Sequence, residues 1–209
     1  ATYRRTTSGT GTSTQVEVFA KADISSALCF RESIALVPGP PLSPCQTTLT
    51  GGSDGQFFGK RLFNGLVPPV VVVTATNPTG STRPTAVSSK LTDVVKIKTA
   101  RYSWNDHKLL IEASSSDEVA VPDMVVQGYG RLSKSGTLQS ITVSDLTQPP
   151  ATVTVKSAAG GSDTEPVVVV GKAPEVGENQ APLSVNDTGS TSFGVPLTLN
   201  LLTNDSDPD

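Results

Sequence analysis

Short runs of alternating apolar and polar residues, separated by turn residues, constrain this chain more than any other feature of its sequence. Residues 56–62 and 108–114 are examples, and glycine- and proline-containing clusters such as residues 51–55 separate the runs. A side-chain period of two is typical of a half-buried β-strand, and no stretch sustains the 3.6-residue period of a helix. The sequence therefore predicts an all-β protein of many short strands.

The predicted strands form two series. The first series covers residues 14–22, 27–32, 47–49, 56–62 and 70–76, and the second covers residues 94–104, 108–114, 124–129, 138–143, 151–157 and 166–170. Three short matches recur in the same order: residues 1–3 with 100–102, 16–19 with 110–113, and 68–74 with 149–155. Ordered matches of this kind predict a duplicated domain. The difference in residue number between matched positions falls from the first match to the third. This fall predicts two insertions in the first copy, the second of which carries both cysteines.

The two copies differ at their starts. Val94, Val95 and Ile97 lead into Ala100 as a strand-like run, whereas no residues precede Ala1. We therefore expect the first copy to lack most of its opening strand or to obtain that strand from elsewhere. Because the chain starts at Ala1 without a signal-peptide pattern, we also expect it to be a processed or excised piece.

Residues 179–209 carry the most specific resemblance to a known family. Asn179-Gln180-Ala181-Pro182 is followed by Val185-Asn186-Asp187-Thr188, and then by residues 194–209, which end in Asn204-Asp205-Ser206-Asp207-Pro208-Asp209. This order resembles the start of a bacterial cadherin-like (Ig-like) tandem repeat, a unit of giant secreted and surface proteins that include adhesins. One departure is Ser192-Phe193 before Gly194, where the family commonly has an acidic residue. Residues 1–172 resemble Ig-like modules of bacterial extracellular proteins more loosely.

Together the repeat and the resemblance predict two small Ig-like antiparallel β-sandwiches in tandem, plus the first strands of a third module. We place the sandwiches at residues 1–92, which include the disulfide-bearing insertion, and at residues 93–172. Residues 173–209 are predicted to be a linker and the start of a cadherin-like module.

Cys29 and Cys45 are predicted to form a disulfide across the insertion. In the loop-closure model a bridge of this span removes unfolded-chain entropy equivalent to about 3 kcal/mol. The alternative is two unrelated buried thiols. Because structural disulfides persist in oxidising compartments, the bridge favours an extracellular or cell-surface location.

Four carboxylates near the end of the chain are candidate calcium ligands: Asp187, Asp205, Asp207 and Asp209. Ca²⁺ takes six to eight oxygen ligands, and alternating carboxylates on a turn can direct several oxygens at one ion. Glu178 is a further candidate from the linker side. The alternative is a solvated polar turn.

Several functional classes are excluded or disfavoured. The chain has a net charge of -3 without basic clusters, so nucleic acid is not an expected partner, and no apolar run is long enough to insert into a membrane. His107 is the single histidine and lies in a predicted turn, with no nucleophile elbow to accompany it. Trp104, Tyr102 and Tyr129 could form a sugar platform or pack in the cores, and packing is favoured. We therefore predict a protein that is not an enzyme.

The sequence as a whole predicts a non-catalytic structural or adhesive module of a large secreted or cell-surface bacterial protein. Its expected partners are neighbouring domains of the same polypeptide or copies of itself, with an unidentified surface ligand also open. Two alternatives remain at this point. One is a subunit of a self-assembling extracellular filament that uses β-strand donation. The other is an accessory module of a secreted enzyme.

Overall fold

The structure is a computed structural model of the chain, and it describes residues 1–9, 11–31, 45–64, 67–76, 85–174 and 181–207. The glycine- and proline-containing clusters at residues 39–41 and 77–80 lie outside this set. Residues Ala1–Gly171 form one compact unit and Lys172–Asp209 form another. The described residues include no helix, and therefore none of a length and apolarity that would cross a bilayer.

The first sandwich contains nine strands in its described residues. They are β1 (Thr2–Ser8), β2 (Gly11–Lys21), β3 (Ala27–Arg31), β4 (Thr47–Thr48), β5 (Thr50–Gly51), β6 (Gln56–Asn64), β7 (Val70–Thr76), β8 (Thr85–Lys90) and β9 (Thr92–Asp93). One sheet has the order β5-β6-β2-β1-β9 and the other has the order β4-β3-β7-β8. Neighbouring strands are antiparallel except β1 and β9, which are parallel.

The second sandwich repeats this arrangement strand for strand. Its strands are β10 (Val95–Ser103), β11 (Lys108–Ser115), β12 (Met124–Val126), β13 (Gly130–Arg131), β14 (Ser133–Ser135), β15 (Leu138–Val143), β16 (Thr152–Ser157), β17 (Ser162–Pro166) and β18 (Val168–Val170). The sheets have the orders β14-β15-β11-β10-β18 and β13-β12-β16-β17. Strand β18 is parallel to β10, as β9 is parallel to β1. The duplication predicted from the sequence is therefore confirmed in the strand order.

The strand order is that of an immunoglobulin-type sandwich. With the first eight strands of each copy lettered A, B, C, C′, D, E, F and G, the sheets read A-B-E-D and C′-C-F-G. The inner faces of the two sheets meet in one apolar cluster per copy. The first cluster is built around Val16, Phe30 and Val71, and the second around Tyr102 and Ile111. The predicted fold class of tandem Ig-like β-sandwiches is thus confirmed, while the exact domain limits at residues 92 and 172 stay predictions.

The ladders correct two of the three sequence matches by one residue. Tyr3 faces Val16 and Tyr102 faces Leu109, so Val16 is equivalent to Leu109 and not to Leu110. Similarly, Val73 is equivalent to Val155, because each faces a buried residue of the neighbouring C strand. A shift of one residue exchanges the two faces of a strand, and in β2 the corrected match places the buried Val16 and Val18 on the buried Leu109 and Ile111.

The second unit departs from its prediction. The first strands of a third module were expected within residues 173–209, but the described part of this unit has a single antiparallel bridge, between Leu183 and Ser206. The side chains of Val195, Leu197, Leu199 and Leu201 are 41% to 61% exposed. A segment this short has no second layer of its own against which an apolar face could be buried, and isolated hairpins are marginal for that reason.

Candidate functional site: a buried polar junction between the sandwiches

The connection between the two sandwiches is a single residue, Val94, which separates β9 from β10. Ser116, which follows β11, hydrogen-bonds to both main-chain polar groups of Val94. The Val94 N–H donates to Ser116 Oγ at 2.8 Å, and the Ser116 N–H donates to the Val94 carbonyl at 2.9 Å. Ser116 Oγ also donates to the carbonyl of Tyr3 at 2.5 Å. One buried serine therefore ties the connector to the first strand of the first sandwich.

Strand β1 continues past its own sandwich into a short parallel bridge with the second one. The Arg5 N–H donates to the Ser116 carbonyl at 2.9 Å, and the Glu118 N–H donates to the Arg5 carbonyl at 2.9 Å. Backbone bonds of this kind fix direction as well as distance. The two sandwiches are thus joined by main-chain pairing and not by side-chain contacts alone.

Asp117 is the charged centre of this junction and is 3% exposed. Its Oδ2 accepts the Tyr3 hydroxyl at 3.1 Å and lies 3.4 Å from an Arg5 guanidinium nitrogen. Its Oδ1 accepts the N–H groups of Val119 at 3.2 Å and Ala120 at 2.9 Å. A buried carboxylate is tolerable only when it is paired and hydrogen-bonded, and Asp117 meets both conditions across the junction.

Asp93, at the end of β9, makes a second buried link. Its side chain is 1% exposed, Oδ2 accepts the Ser115 hydroxyl at 2.6 Å, and Oδ1 accepts the Gly161 N–H at 2.8 Å. A Cβ on Gly161 would lie 2.4 Å from the Asp93 carbonyl oxygen. The absence of a side chain at Gly161 therefore allows the second sandwich to approach Asp93 closely.

The environment of Tyr3 is strongly perturbed. Burial, followed by the negative charge of Asp117 and the hydrogen bond to it, raises the pKa of the Tyr3 hydroxyl to about 12. The Arg5 guanidinium lies 5.6 Å from the centre of the Tyr3 ring and opposes this rise. Tyr3 therefore stays a neutral hydrogen-bond donor throughout the physiological range.

The carboxylates and hydroxyls of this junction make hydrogen bonds across it, so the arrangement is suited to holding two domains in a fixed orientation. The candidate catalytic histidine lies elsewhere. His107 occupies the β10–β11 turn, with its Nδ1 3.3 Å from the Tyr102 hydroxyl, and Trp104 packs edge-on against Tyr102 at 5.2 Å between ring centroids. These aromatic residues belong to the second core or its edge, in line with the packing role that the sequence favoured.

The structure joins Cys29 and Cys45 in a disulfide, as predicted. The bond links strand β3 to the segment just before β4, so it closes the insertion onto the C strand of the first sandwich. The cysteine-bearing insertion predicted in the first copy is confirmed. The difference in residue number between equivalent positions of the two copies is larger at β3 than at β7, because the first copy has extra residues between these strands. Phe30 is equivalent to Val126, whereas Val73 is equivalent to Val155.

The predicted calcium ligands are not brought together. Asp205 Oδ1 accepts the Val185 N–H at 2.8 Å, and Asn204 donates to the Val185 carbonyl at 3.2 Å. Asp209 and Glu178 lie outside the described residues, and within the described part of the chain no three acidic, histidine or cysteine side chains are placed to share a metal. Calcium binding by Asp187, Asp205, Asp207 and Asp209 therefore stays a prediction.

Sequence reasoning assigned no role to the junction residues Asp93, Ser115, Ser116 and Asp117. Tyr3, the partner of Asp117, lies 114 positions away along the chain. One local signal was available: Ser114-Ser115-Ser116-Asp117 is a polar run at the end of the regularly alternating strand β11. Asp23 follows the equivalent strand of the first sandwich, and there it accepts the Ser25 N–H at 2.8 Å in the same kind of turn.

No family model and no curated protein matches this sequence. Among solved structures, the chain is similar to Dpr2 Ig1-Ig2, solved in complex with DIP-Theta Ig1-Ig3, at 8% identity and a TM-score of 0.27, covering 76% of this chain and 91% of that chain. It is also similar to the tandem Ig repeats of Dlar, at 13% identity and a TM-score of 0.26, covering 75% and 90%. The N-terminal Ig1-2 module of the Drosophila receptor protein tyrosine phosphatase DLAR gives 11% identity and a TM-score of 0.24, with coverage of 75% and 90%. The fold assignment rests on the strand order of the sheets.

Proposed function

We propose that this chain is a non-catalytic structural module of a large secreted or cell-surface bacterial protein, in which the two sandwiches form a stiff spacer. The single observation that carries the proposal is the junction at Val94. A one-residue connector, two main-chain bonds to Arg5 and two buried carboxylates leave the sandwiches little freedom to rotate relative to each other.

Two further features support this role. The Cys29–Cys45 bridge is of a kind that persists in oxidising compartments, which favours an extracellular location. The buried carboxylates of the junction are engaged in hydrogen bonds and an ion pair between the domains. These contacts stabilise one relative orientation of the sandwiches, which favours a structural role for the carboxylates over a catalytic one. Adhesion would then come from neighbouring domains or from surfaces at the ends of the spacer.

Residual dipolar couplings of the full chain test this proposal. We expect the two sandwiches to share one alignment tensor, because a rigid pair aligns as one body. Asp117→Ala removes the acceptor of Tyr3 and Arg5 and should give two distinct tensors. Asp106→Ala, an exposed aspartate of the second sandwich bonded to Ser103, is the matched control and should leave one tensor. Independent tensors in the unsubstituted chain would overturn the proposal.

A further inference from the structure

The junction has an outer surface as well as a buried interior, and that outer surface is concave. It contains a cleft of about 500 Å³ that is lined by residues of both sandwiches. Arg4 lines it from β1 of the first sandwich, and Thr137 and Leu138 line it from the β14–β15 turn of the second. Sites for small organic ligands have volumes of about 300–1,000 Å³, so this cleft is large enough for such a ligand.

The floor of the cleft is the outer face of β10 and β11, where these strands lie next to the junction. Lys96 faces Ser114, and Ser114 faces Leu138, so these three residues form one row across the sheet. Ile97 and Ala113, which follow and precede them along their strands, are buried in the core. Because successive side chains of a strand point to opposite faces, Lys96 and Ser114 point outward.

A β-bulge adds a second lysine to this face. The pairing of β10 with β11 shifts in register between Ile97 and Thr99, which leaves Lys98 as the extra residue of β10. Thr99 lies on the outer face, where its hydroxyl donates to Glu112 Oε2 at 2.6 Å, and Lys98 lines the cleft. The bulge therefore directs two successive side chains outward, as bulges beside functional sites commonly do.

The cations of the cleft differ in the partners they have. Lys96 forms an ion pair with Glu165, and its Nζ lies 3.6 Å from Asp163 Oδ2. The side chains of Arg4 and Lys98 are exposed, and neither makes a hydrogen bond or an ion pair with any residue that the structure describes. Two cationic groups from different sandwiches are therefore available to an anionic group of a ligand, and a carboxylate suits both of them.

The remaining lining is suited to a ligand that also carries hydroxyl groups. The hydroxyls of Ser114 and Thr137 have no hydrogen-bond partner within the described part of the chain, and the Glu118 side chain is exposed. A carboxylate accepts hydrogen bonds from hydroxyl groups and repels other carboxylates, so Glu118 disfavours a ligand whose polar groups are all acidic. Leu138 and Val94, which are 37% and 41% exposed, provide apolar contact for the C–H groups of a sugar ring.

We propose that this cleft binds an acidic saccharide, that is, a sugar that carries a carboxylate. The sugar carboxylate is bound by Arg4 and Lys98, while ring hydroxyls donate to Glu118 and hydrogen-bond to Ser114. Because Arg4 belongs to the first sandwich and Lys98 to the second, neither sandwich has the complete site alone. The inference goes beyond the spacer role, because it gives the junction a ligand of its own.

Titrations of the full chain, followed by amide chemical shifts in NMR spectra, test the proposal. The probes are oligosaccharides that carry a glucuronate, galacturonate or sialate residue, each compared with its carboxylate methyl ester. We expect an acid to shift the amides of Ser114 and Thr137 and to bind about tenfold more tightly than its ester. This binding should weaken as the salt concentration rises, because salt screens exposed charges.

Three results of these titrations would overturn the proposal. One is that none of the acids binds, and another is that an acid and its ester bind equally well. The third is that a hexaglutamate peptide binds more tightly than every sugar, which would assign the cleft to acidic peptides.

Substitutions of the two available cations test the site itself. Arg4→Gln and Lys98→Gln should each weaken binding of the acid about tenfold, because each removes a charge-assisted hydrogen bond. Arg101→Gln and Lys108→Gln replace exposed cations outside the cleft, so these matched controls should bind like the unsubstituted chain. Circular dichroism should show that all four variants are folded. Equal losses of binding in the cleft variants and in the controls would overturn the proposal.

The spacer role and the saccharide site can fail separately. Arg4→Gln and Lys98→Gln leave the buried contacts of Asp117 and Asp93 in place, so both variants should keep one alignment tensor. A chain with one tensor that binds none of the acids would overturn the saccharide site alone. A chain with two tensors that binds an acid through Arg4 and Lys98 would overturn the spacer role alone.

Discussion

Replacing Asp93 with alanine should destabilise the junction by removing the acceptor of two buried hydrogen bonds. The Ser115 hydroxyl at 2.6 Å and the Gly161 N–H at 2.8 Å would both lose their partner in a site where Asp93 is 1% exposed. Each unsatisfied buried donor costs about 1–3 kcal/mol, and relief from burying the carboxylate offsets part of the sum. We therefore expect the free energy of unfolding to fall by about 2–4 kcal/mol.

Urea unfolding followed by the fluorescence of Trp104, the single tryptophan, measures this change. With a slope of about 1–3 kcal/mol per molar urea, the midpoint should fall by about 0.7–4 M. Asp93→Asn keeps an oxygen for Gly161 and should lose less than half as much stability. In a double-mutant cycle, Asp93→Ala and Ser115→Ala should be non-additive by about 0.5 kcal/mol or more. A midpoint unchanged by Asp93→Ala, or strict additivity in the cycle, would refute the reasoning.

Three other perturbations have defined outcomes. Tyr3 should ionise near pH 12 in an ultraviolet titration. Because the pKa of Tyr3 in the folded state lies above the unfolded value of about 10, its contribution to stability is complete below about pH 10 and is lost as the pH rises through about 12. The Tyr3→Phe variant should not show this loss of stability. Gly161→Ala would force a Cβ to within 2.4 Å of a carbonyl oxygen and should destabilise the fold by about 1–3 kcal/mol in urea unfolding, whereas Gly9→Ala, with open space around its Cβ position, should change the midpoint little. Replacing Cys29 and Cys45 together with alanine should destabilise the first sandwich by about 3 kcal/mol and leave the stability of the second unchanged, as measured by calorimetry. An equal loss of stability in both sandwiches would contradict the assignment of separate cores.

The strands that sequence predicted well are those with one buried face. Strands β6 and β11 begin where the sequence predicted and end within two residues of the predicted limits, because their buried and exposed residues alternate. The strands that were missed, among them β1, β8 and β17, are rich in threonine, serine or charged residues. Strands β8 and β17 lie at sheet edges, where backbone pairing and not an apolar pattern sets the strand.

The junction was harder to predict for a different physical reason. A buried aspartate is recognisable only through its partners, and the partners of Asp117 include Tyr3 at the opposite end of the tandem. In sequence, Asp117 reads as an ordinary turn-capping residue, which it also is. The one-residue errors in the repeat alignment arose because a short match of similar residues does not show which face of a strand is buried.

The parallel pairing of the last strand of each sandwich with its first strand determines how the molecule responds to tension. When the chain is pulled from both ends, the force acts to slide β1 along β9 and β10 along β18. The hydrogen bonds of each parallel pair are then loaded in shear, so they must break together and not one at a time. The second sandwich has three paired positions in this mechanical clamp and the first has two. Under a slowly rising force the first sandwich should therefore unfold before the second. The chain should lengthen in two steps, and optical-tweezer traces of the full chain would show which sandwich unfolds first.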